Sequence, residues 1–389
     1  MALTGNSPRC GVCDSKLVKN GSTSAGRTRW RCRSCGASVT QSRSDVSARA
    51  VLDAFLSWLL GKSAQKELAK PDRSFRRHIA WCWDIPVPQP SVTGEIYRQI
   101  IVDGTYFGTW CVLVAHNGSH VIGWQWCASE SKAAWGELLR RFPAPDVIVT
   151  DGGRGLRSAL DRYWPRTKIQ RCYFHILAAI KRHITLKPRL HAGREILELT
   201  RDLMRVDSLD DAANWMAAYA SWESRWASFL TERTYAKAGL ERPSWARANQ
   251  RWWYTHIRLR RAQALFRQLI RDKALFTWLN ENYLDSEGNR TVERTTSRLE
   301  GGVNAAIKRL LRDHRGLPEE HARTAVDWLL NSLTEHPHDP WHLAQRHLAD
   351  RSAAPAPVIQ DEQIGPVTYD TGLSAEEGLW TRKGWAGRS

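Results

Sequence analysis

The chain is 389 residues long and strongly basic, with 57 Lys and Arg against 40 Asp and Glu, a net charge of +17 and a pI near 9.8. That length suits two or three domains (about 100–200 residues each), and the charge attracts polyanions: nucleic acid or an anionic membrane surface. No apolar run approaches the roughly 20 residues that cross a bilayer, and no signal-peptide pattern stands at the N-terminus. Of eight cysteines, four stand in tight pairs, which fits metal binding in a reducing compartment better than a secreted disulfide scaffold.

Residues 1–42 carry those pairs, Cys10 with Cys13 and Cys32 with Cys35, with eighteen residues between them. Two such knuckles supply four thiolates at zinc-ribbon spacing, and so short a segment needs a structural Zn²⁺ to stay folded. Arg27, Arg29, Arg31 and Arg33 recur every second residue, so on a strand they would share one face and could meet phosphates.

Residues 46–84 have helical periodicity. Val51, Phe55, Trp58 and Leu59 mark a first helix, a turn at Gly61–Ser63 leads to a short second one, and a third spans Arg73–Trp83. Phe75, Ile79 and Trp83 form its apolar face, with Arg73, Arg76 and Arg77 turned elsewhere. A helix-turn-helix unit fits this pattern. Residues 1–100 hold 16 basic and 7 acidic residues, a surplus of nine, which favours DNA as the partner over a plain helical bundle. The proline-rich run 85–90 reads as a stiff linker.

A mixed α/β pattern follows over 95–176: strands at 99–107, 110–116 and 120–128, a helix at 131–142, a strand at 146–151, a helix at 154–163 and a strand at 167–173. That is the element order of a ribonuclease-H-like core. Two of its strands bring an aspartate to a glycine: Ile100-Ile101-Val102-Asp103-Gly104 and, forty-eight residues later, Val147-Ile148-Val149-Thr150-Asp151-Gly152. A desolvated carboxylate is costly unless paired or holding a metal. Residues 177–290 read as all-helical, rich in Trp and Arg, and within them Arg251–Arg261 mixes aromatics with guanidinium groups. Residues 291–335 return to the core, and 352–389 read as a poorly ordered tail.

With Asp103 and Asp151, the stretch Thr295–Asn304 completes an Asp–Asp–Glu set through Glu300, and Cys172-Tyr173-Phe174-His175 lies between. On these motifs, over roughly 95–330, the chain resembles the Mutator-like bacterial insertion-sequence transposases. The resemblance implies a DDE enzyme: a ribonuclease-H-like core interrupted by an all-α insertion, with Cys172 and His175 as the family's Cys/Asp-x-x-His motif. It also implies a zinc ribbon and helix-turn-helix in front, as in one subgroup. Many relatives place Lys or Arg seven residues after the Glu, where this chain has Ile307 followed by Lys308.

Phosphodiester cleavage needs an in-line nucleophile, a stabilised leaving oxygen and neutralised phosphate charge. Two Mg²⁺ (or Mn²⁺) ions about 4 Å apart supply all three. Asp103 would bridge them, with Asp151 and Glu300 each holding one. Lys308, Arg309 and Arg312 would lie along bound DNA. The expected partner is double-stranded DNA, element ends and target, met by a homodimer in the bacterial cytoplasm at the nucleoid. Two rivals remain: a structure-specific nuclease that never joins strands, and a zinc-ribbon DNA-binding regulator with a dead core. Cys172 and His175 could equally be core residues, and Ser297-x-x-Glu300 also spells a helix capping box.

Overall fold

The computed structural model describes residues 8–10, 12–24, 26–40, 44–61, 72–237 and 240–353. The second helix of the expected helix-turn-helix and the tail 354–389 therefore lie outside the described residues.

Three antiparallel strands, β1 (Leu17–Ser22), β2 (Thr28–Cys32) and β3 (Ser38–Thr40), form a sheet at the front of the chain. Their shared core is small: Leu17, Val39, Cys10 and Cys32. Arg29 and Arg31 alternate with half-buried Trp30 and buried Cys32, so both face solvent on one side of β2. Arg27 precedes the strand and Arg33 follows it. Next come helices α1 (Ser44–Leu60) and α2 (Asp72–Ile79), continued by a 3₁₀ turn, Ala80–Asp84. Phe55, Trp58, Phe75 and Trp83 knit them edge to face, with Phe55 and Trp83 centroids 4.8 Å apart. Arg73, Arg76 and Arg77 are exposed, as the apolar spacing of α2 requires.

A mixed five-stranded sheet organises the centre, in the order β6-β5-β4-β7-β8. β4 (Gln99–Phe107), β5 (Trp110–His116) and β6 (Val121–Cys127) form an antiparallel meander. β7 (Val147–Thr150) and β8 (Lys168–Arg171) add in parallel on the other edge of β4. Every residue of β7 is buried, as a central parallel strand demands. Helices α3 (Lys132–Leu139) and α4 (Arg154–Tyr163) cover one face, where Trp135, Leu138, Leu156 and Leu160 pack on Ile100, Val102, Leu113 and Ile148. The Ser131 hydroxyl caps α3 by accepting from Ala134 N at 3.1 Å.

After β8 the chain enters α5 (Tyr173–Ile184), then α6 (His191–Asp202), α7 (Leu209–Arg225), α8 (Ala227–Thr231) and α9 (Ile257–Arg271). Many tryptophans serve helix packing here: Trp215 and Trp222 are buried, and their indole N–H groups donate to the Leu199 and Ala192 carbonyls at 2.7 and 3.1 Å. The all-helical expectation for 177–290 needs one correction. A two-stranded ribbon, β9 (Arg233–Tyr235) with β10 (Trp252–Tyr254), stands among these helices. The run Trp252-Trp253-Tyr254 forms a strand because aromatic residues fit a pleated surface. Its rings are already engaged: Arg233 lies 4.0 Å over Trp252 and Arg260 3.6 Å over Tyr254.

Beyond α9 the chain returns beside β8, where the Leu275 carbonyl accepts from the Tyr173 hydroxyl at 2.7 Å and from Gln170 Nε2 at 3.0 Å. A π-helical turn, Arg298–Val303, then runs into α10 (Asn304–Asp313) and α11 (Glu319–Ser332). Asp327 on α11 accepts from both Trp124 and Trp126 indoles, at 2.7 and 2.8 Å, which ties these last helices to β6. The front helices dock there too: His314 Nε2 meets the Leu59 carbonyl at 2.9 Å, and Trp83 stacks on His321 at 4.4 Å. A final helix, α12, spans Pro340–Ala353. Among the described residues no helix is long and apolar enough to cross a membrane.

Candidate active site

The parallel ladder between β4 and β7 ends at Ile101 opposite Val149. Two residues further along the chain from each stand Asp103, still within β4, and Asp151, just past the end of β7. Asp103 is therefore not at the end of its own strand, since β4 continues against β5 to Phe107. It sits where β7 stops, and the opening left there is what two neighbouring parallel strands leave at their carboxyl ends.

Asp151 is fixed by its own turn. Its Oδ1 accepts from Gly153 N at 2.9 Å. Gly152 has a φ of +84°, and a Cβ there would fall 1.7 Å from Arg171 Nη1. Only glycine lets this guanidinium, mostly withdrawn from solvent, lie across the turn beside Asp151. Burial pulls the Arg171 pKa down, opposed first by Asp151. Asp103 is held by Asn304, whose Nδ2 donates to its Oδ2 at 2.7 Å. Asn304 is 2% exposed, and its Oδ1 has no hydrogen-bond partner among the described residues.

The third carboxylate arrives from the π turn. Glu300 Oε1 lies 3.4 Å from His175 Nδ1 and also meets the Thr296 hydroxyl. Buried Cys172 stands between β8 and α5, with its N–H bonded to the Thr150 carbonyl at 2.8 Å. Its sulfur accepts from Thr296 N at 3.3 Å and lies 3.9 Å from Glu300 Oε1. Cys172 and His175 thus bracket Glu300 rather than filling unrelated core positions. The capping-box alternative fails: Ser297 makes no side-chain cap, and Glu300 sits inside a widened turn rather than opening an α-helix.

That widened turn also accounts for Lys308. A turn closed by i→i+5 bonds takes about one residue more than an α turn. The eighth residue after Glu300 then reaches the direction that the seventh would take on an uninterrupted α-helix. Ile307 is fully buried, while Lys308, Arg309 and Arg312 are exposed on α10.

Electrostatics mark these groups as one cluster. Burial, then Asp151, pushes the Asp103 carboxyl up to about 7; His175 opposes this and Glu300 adds to it. His175 is raised to about 9, chiefly by the Cys172 side chain against the cost of burial, with Glu300 and Asp151 contributing. Burial alone would raise Cys172, but bonds with His175 and Thr296 outweigh it and hold the thiol below its ordinary value. Sequence reasoning missed a further carboxylate. Glu130, just before α3, is raised by burial and then by Asp151.

Among the described residues, two sets bring three or more metal-binding atoms within 4.8 Å of one another: Cys10, Cys13, Cys32 and Cys35, and Cys172, His175 and Glu300. Asp103, Asp151 and Glu300 do not close to that distance as a set. The cysteine sulfurs pair at 3.5 Å (Cys10 with Cys35) and 3.4 Å (Cys13 with Cys32), compatible with zinc. The arginines of β2 and α2 are not part of the carboxylate cluster.

Residues 100–179, which hold both aspartates, Cys172 and His175, match the family model described as MULE transposase domain. The chain resembles the Mutator-like insertion-sequence transposases. The transposase for insertion sequence element IS905 of Lactococcus lactis is 26% identical over 152 residues, covering 34% of this chain and 38% of that relative. The transposase for insertion sequence element ISRM5 of Rhizobium meliloti is 32% identical over 103 residues, 25% of this chain and 24% of its own length. The chain thus spans well under half the length of the curated relatives it matches. Glu300 lies beyond the MULE match, so its place beside the aspartates rests on geometry.

Proposed function

We propose that this chain is a DDE transposase that binds the ends of a mobile DNA element, cuts them and joins the freed 3′-OH to target DNA. The observation that carries the reading is the placing of Asp103 and Asp151 at neighbouring strand positions, within the stretch similar to the MULE transposase domain, with Glu300 brought toward them by the π turn. The strand order, with the helices between β8 and Glu300, supports a ribonuclease-H-like core carrying an inserted domain.

The residues fit Mg²⁺ or Mn²⁺. Such ions take hard oxygen donors, and among the described residues Asn304 Oδ1 is buried at the site without a hydrogen-bond partner. Asp103, Asp151 and Glu300 would hold two ions, which supply charge neutralisation at the phosphate and activation of the attacking oxygen. The remaining work falls to the chain. Asn304 keeps Asp103 aimed into the opening, and Arg171 steadies the Asp151 turn. Thr296, Cys172 and His175 position Glu300. Because its sulfur is already engaged by Thr296, Cys172 acts as a bracket rather than as a ligand. Lys308, Arg309 and Arg312 would guide the strand, and the arginines of β2 and α2 would grip element ends by their phosphates. A homodimer follows from the need to process two ends together.

Full-length protein with a duplex bearing the element end should nick it only with a divalent cation and then join it to a plasmid target. Asp151→Asn should do neither while binding the duplex as before. Cutting without joining would favour the structure-specific nuclease. Unimpaired cutting by Asp151→Asn would remove the proposed site.

The four front cysteines would hold one structural zinc. Burying Leu17 and Val39 contributes only about 3–6 kcal/mol, far below the roughly 1 kcal/mol per residue needed to order this segment. Metal analysis should find about one zinc per chain. Cys10→Ser with Cys13→Ser should lose it, together with end binding. A zinc-free parent under reducing conditions would refute this assignment.

A further inference from the structure

The geometry points to Glu130 as a fourth carboxylate of the active site, a ligand to the divalent cations proposed for Asp103 and Asp151. This rests on the metal site proposed above and extends it. Glu130 directly precedes the Ser131 cap of α3, so a helix end packed against the sheet fixes its backbone. Its N–H donates to the Tyr106 hydroxyl at 3.2 Å. Three glycines surround it. A Cβ at position 155 would lie 1.9 Å from the Glu130 carbonyl oxygen, and one at position 104 would lie 2.6 Å from Oε1. At position 153 it would lie 3.7 Å from Glu130 Oε2 and 3.6 Å from Asp151 Oδ1. The carboxylate is thus seated between the residue after Asp103 and the turn that bonds Asp151.

Strand alternation places Gly104 on the α3 side of β4, with Ile100 and Val102, while Asp103 projects to the other side, where Asn304 meets it. Carboxylates therefore reach this strand position from both sides of the sheet. Among the described residues no hydrogen bond or ion pair reaches the Glu130 oxygens; His175 acts on the carboxylate only at longer range, against burial and Asp151. A half-buried carboxylate beside another carboxylate is unfavourable unless a cation joins them. On the Asp103 side, the buried Asn304 Oδ1 has no hydrogen-bond partner among the described residues, which leaves an oxygen donor for the cation that Glu130 would reach from the other side. The alternative is that Glu130 only complements the α3 dipole, a modest effect on stability.

Mn²⁺ titration of the full-length, zinc-loaded protein, read by the electron paramagnetic resonance of free Mn²⁺, separates these roles. Glu130→Gln should weaken binding by about tenfold or more, without lowering the melting temperature of the metal-free protein. Gly104→Ala, which displaces the carboxylate but keeps its charge, should weaken binding too. Glu137→Gln, on the exposed face of α3, should bind as the parent does. Parent-like Mn²⁺ binding by Glu130→Gln, with Asp103→Asn binding poorly, would overturn the fourth ligand alone. Parent-like binding by Asp103→Asn as well would overturn the metal site on which it rests.

Discussion

Glu300→Gln should give a folded protein that binds element ends and cuts them roughly 10²–10³-fold more slowly, whereas Glu293→Gln should cut nearly as the parent does. The two glutamates are seven residues apart on the approach to α10. Their surroundings separate them. Glu293 pairs with Arg298 at 3.0 Å, and its backbone N–H donates to Gln99 Oε1 at 2.8 Å, so it is occupied in holding the entry to the π turn. Glu300 faces His175 and the Thr296 hydroxyl and adds to the charge that disfavours ionised Asp103. Replacing a carboxylate by an amide of the same shape keeps the packing and removes the anionic donor. The gel assay on labelled element ends decides it. Efficient cutting by Glu300→Gln, with loss in Glu293→Gln, would move the third ligand to position 293.

Much of this site was legible in the chain because buried strands write themselves plainly. Ile100–Val102 and Val147–Thr150 are β-branched runs that could be little else, and each delivers its aspartate one step beyond the run. The cysteine pairs were legible for a similar reason, since thiolate spacing is set by the metal rather than by the fold. What stayed hidden depends on contacts distant in sequence. The π turn has no compositional signature, so neither the rotated Lys308 nor the failure of the capping box could be foreseen. Glu130 lies between Ser129 and Ser131 as one polar residue in a loop. Only the glycines at 104, 153 and 155, seen in space, reveal that room is kept around it. Gly152 and Arg171 form a similar pair, nineteen residues apart and joined by neighbouring strands. The ribbon at Trp252–Tyr254 had a usable signal, its run of aromatics, but the helical periodicity around it carried more weight.

Asp103→Asn should abolish cleavage and at the same time make the metal-free protein more stable at neutral pH. The carboxyl titrates near 7 in the folded chain against an ordinary value of 3.8, raised first by burial and then by Asp151. Between those values the folded state holds a proton that the unfolded state has released, so stability falls as pH rises through this window and levels off above about 7. The full difference would be at most about 4 kcal/mol, and partial solvation of the group reduces it. Asp327, raised to about 6 by burial, contributes a fall of the same sign over a narrower range, but it is common to parent and variant and cancels between them. Melting curves of the metal-free proteins should therefore coincide near pH 4 and separate by pH 7.5, with Asp103→Asn higher. Adding Mg²⁺ should reverse the order, because the cation replaces the proton on Asp103 and stabilises only the parent. Its apparent affinity should rise with pH up to about 7, where that proton is already gone. Curves that stay parallel from pH 4 to 7.5, with no response of the parent to Mg²⁺, would mean that Asp103 is neither strained by its neighbours nor a metal ligand.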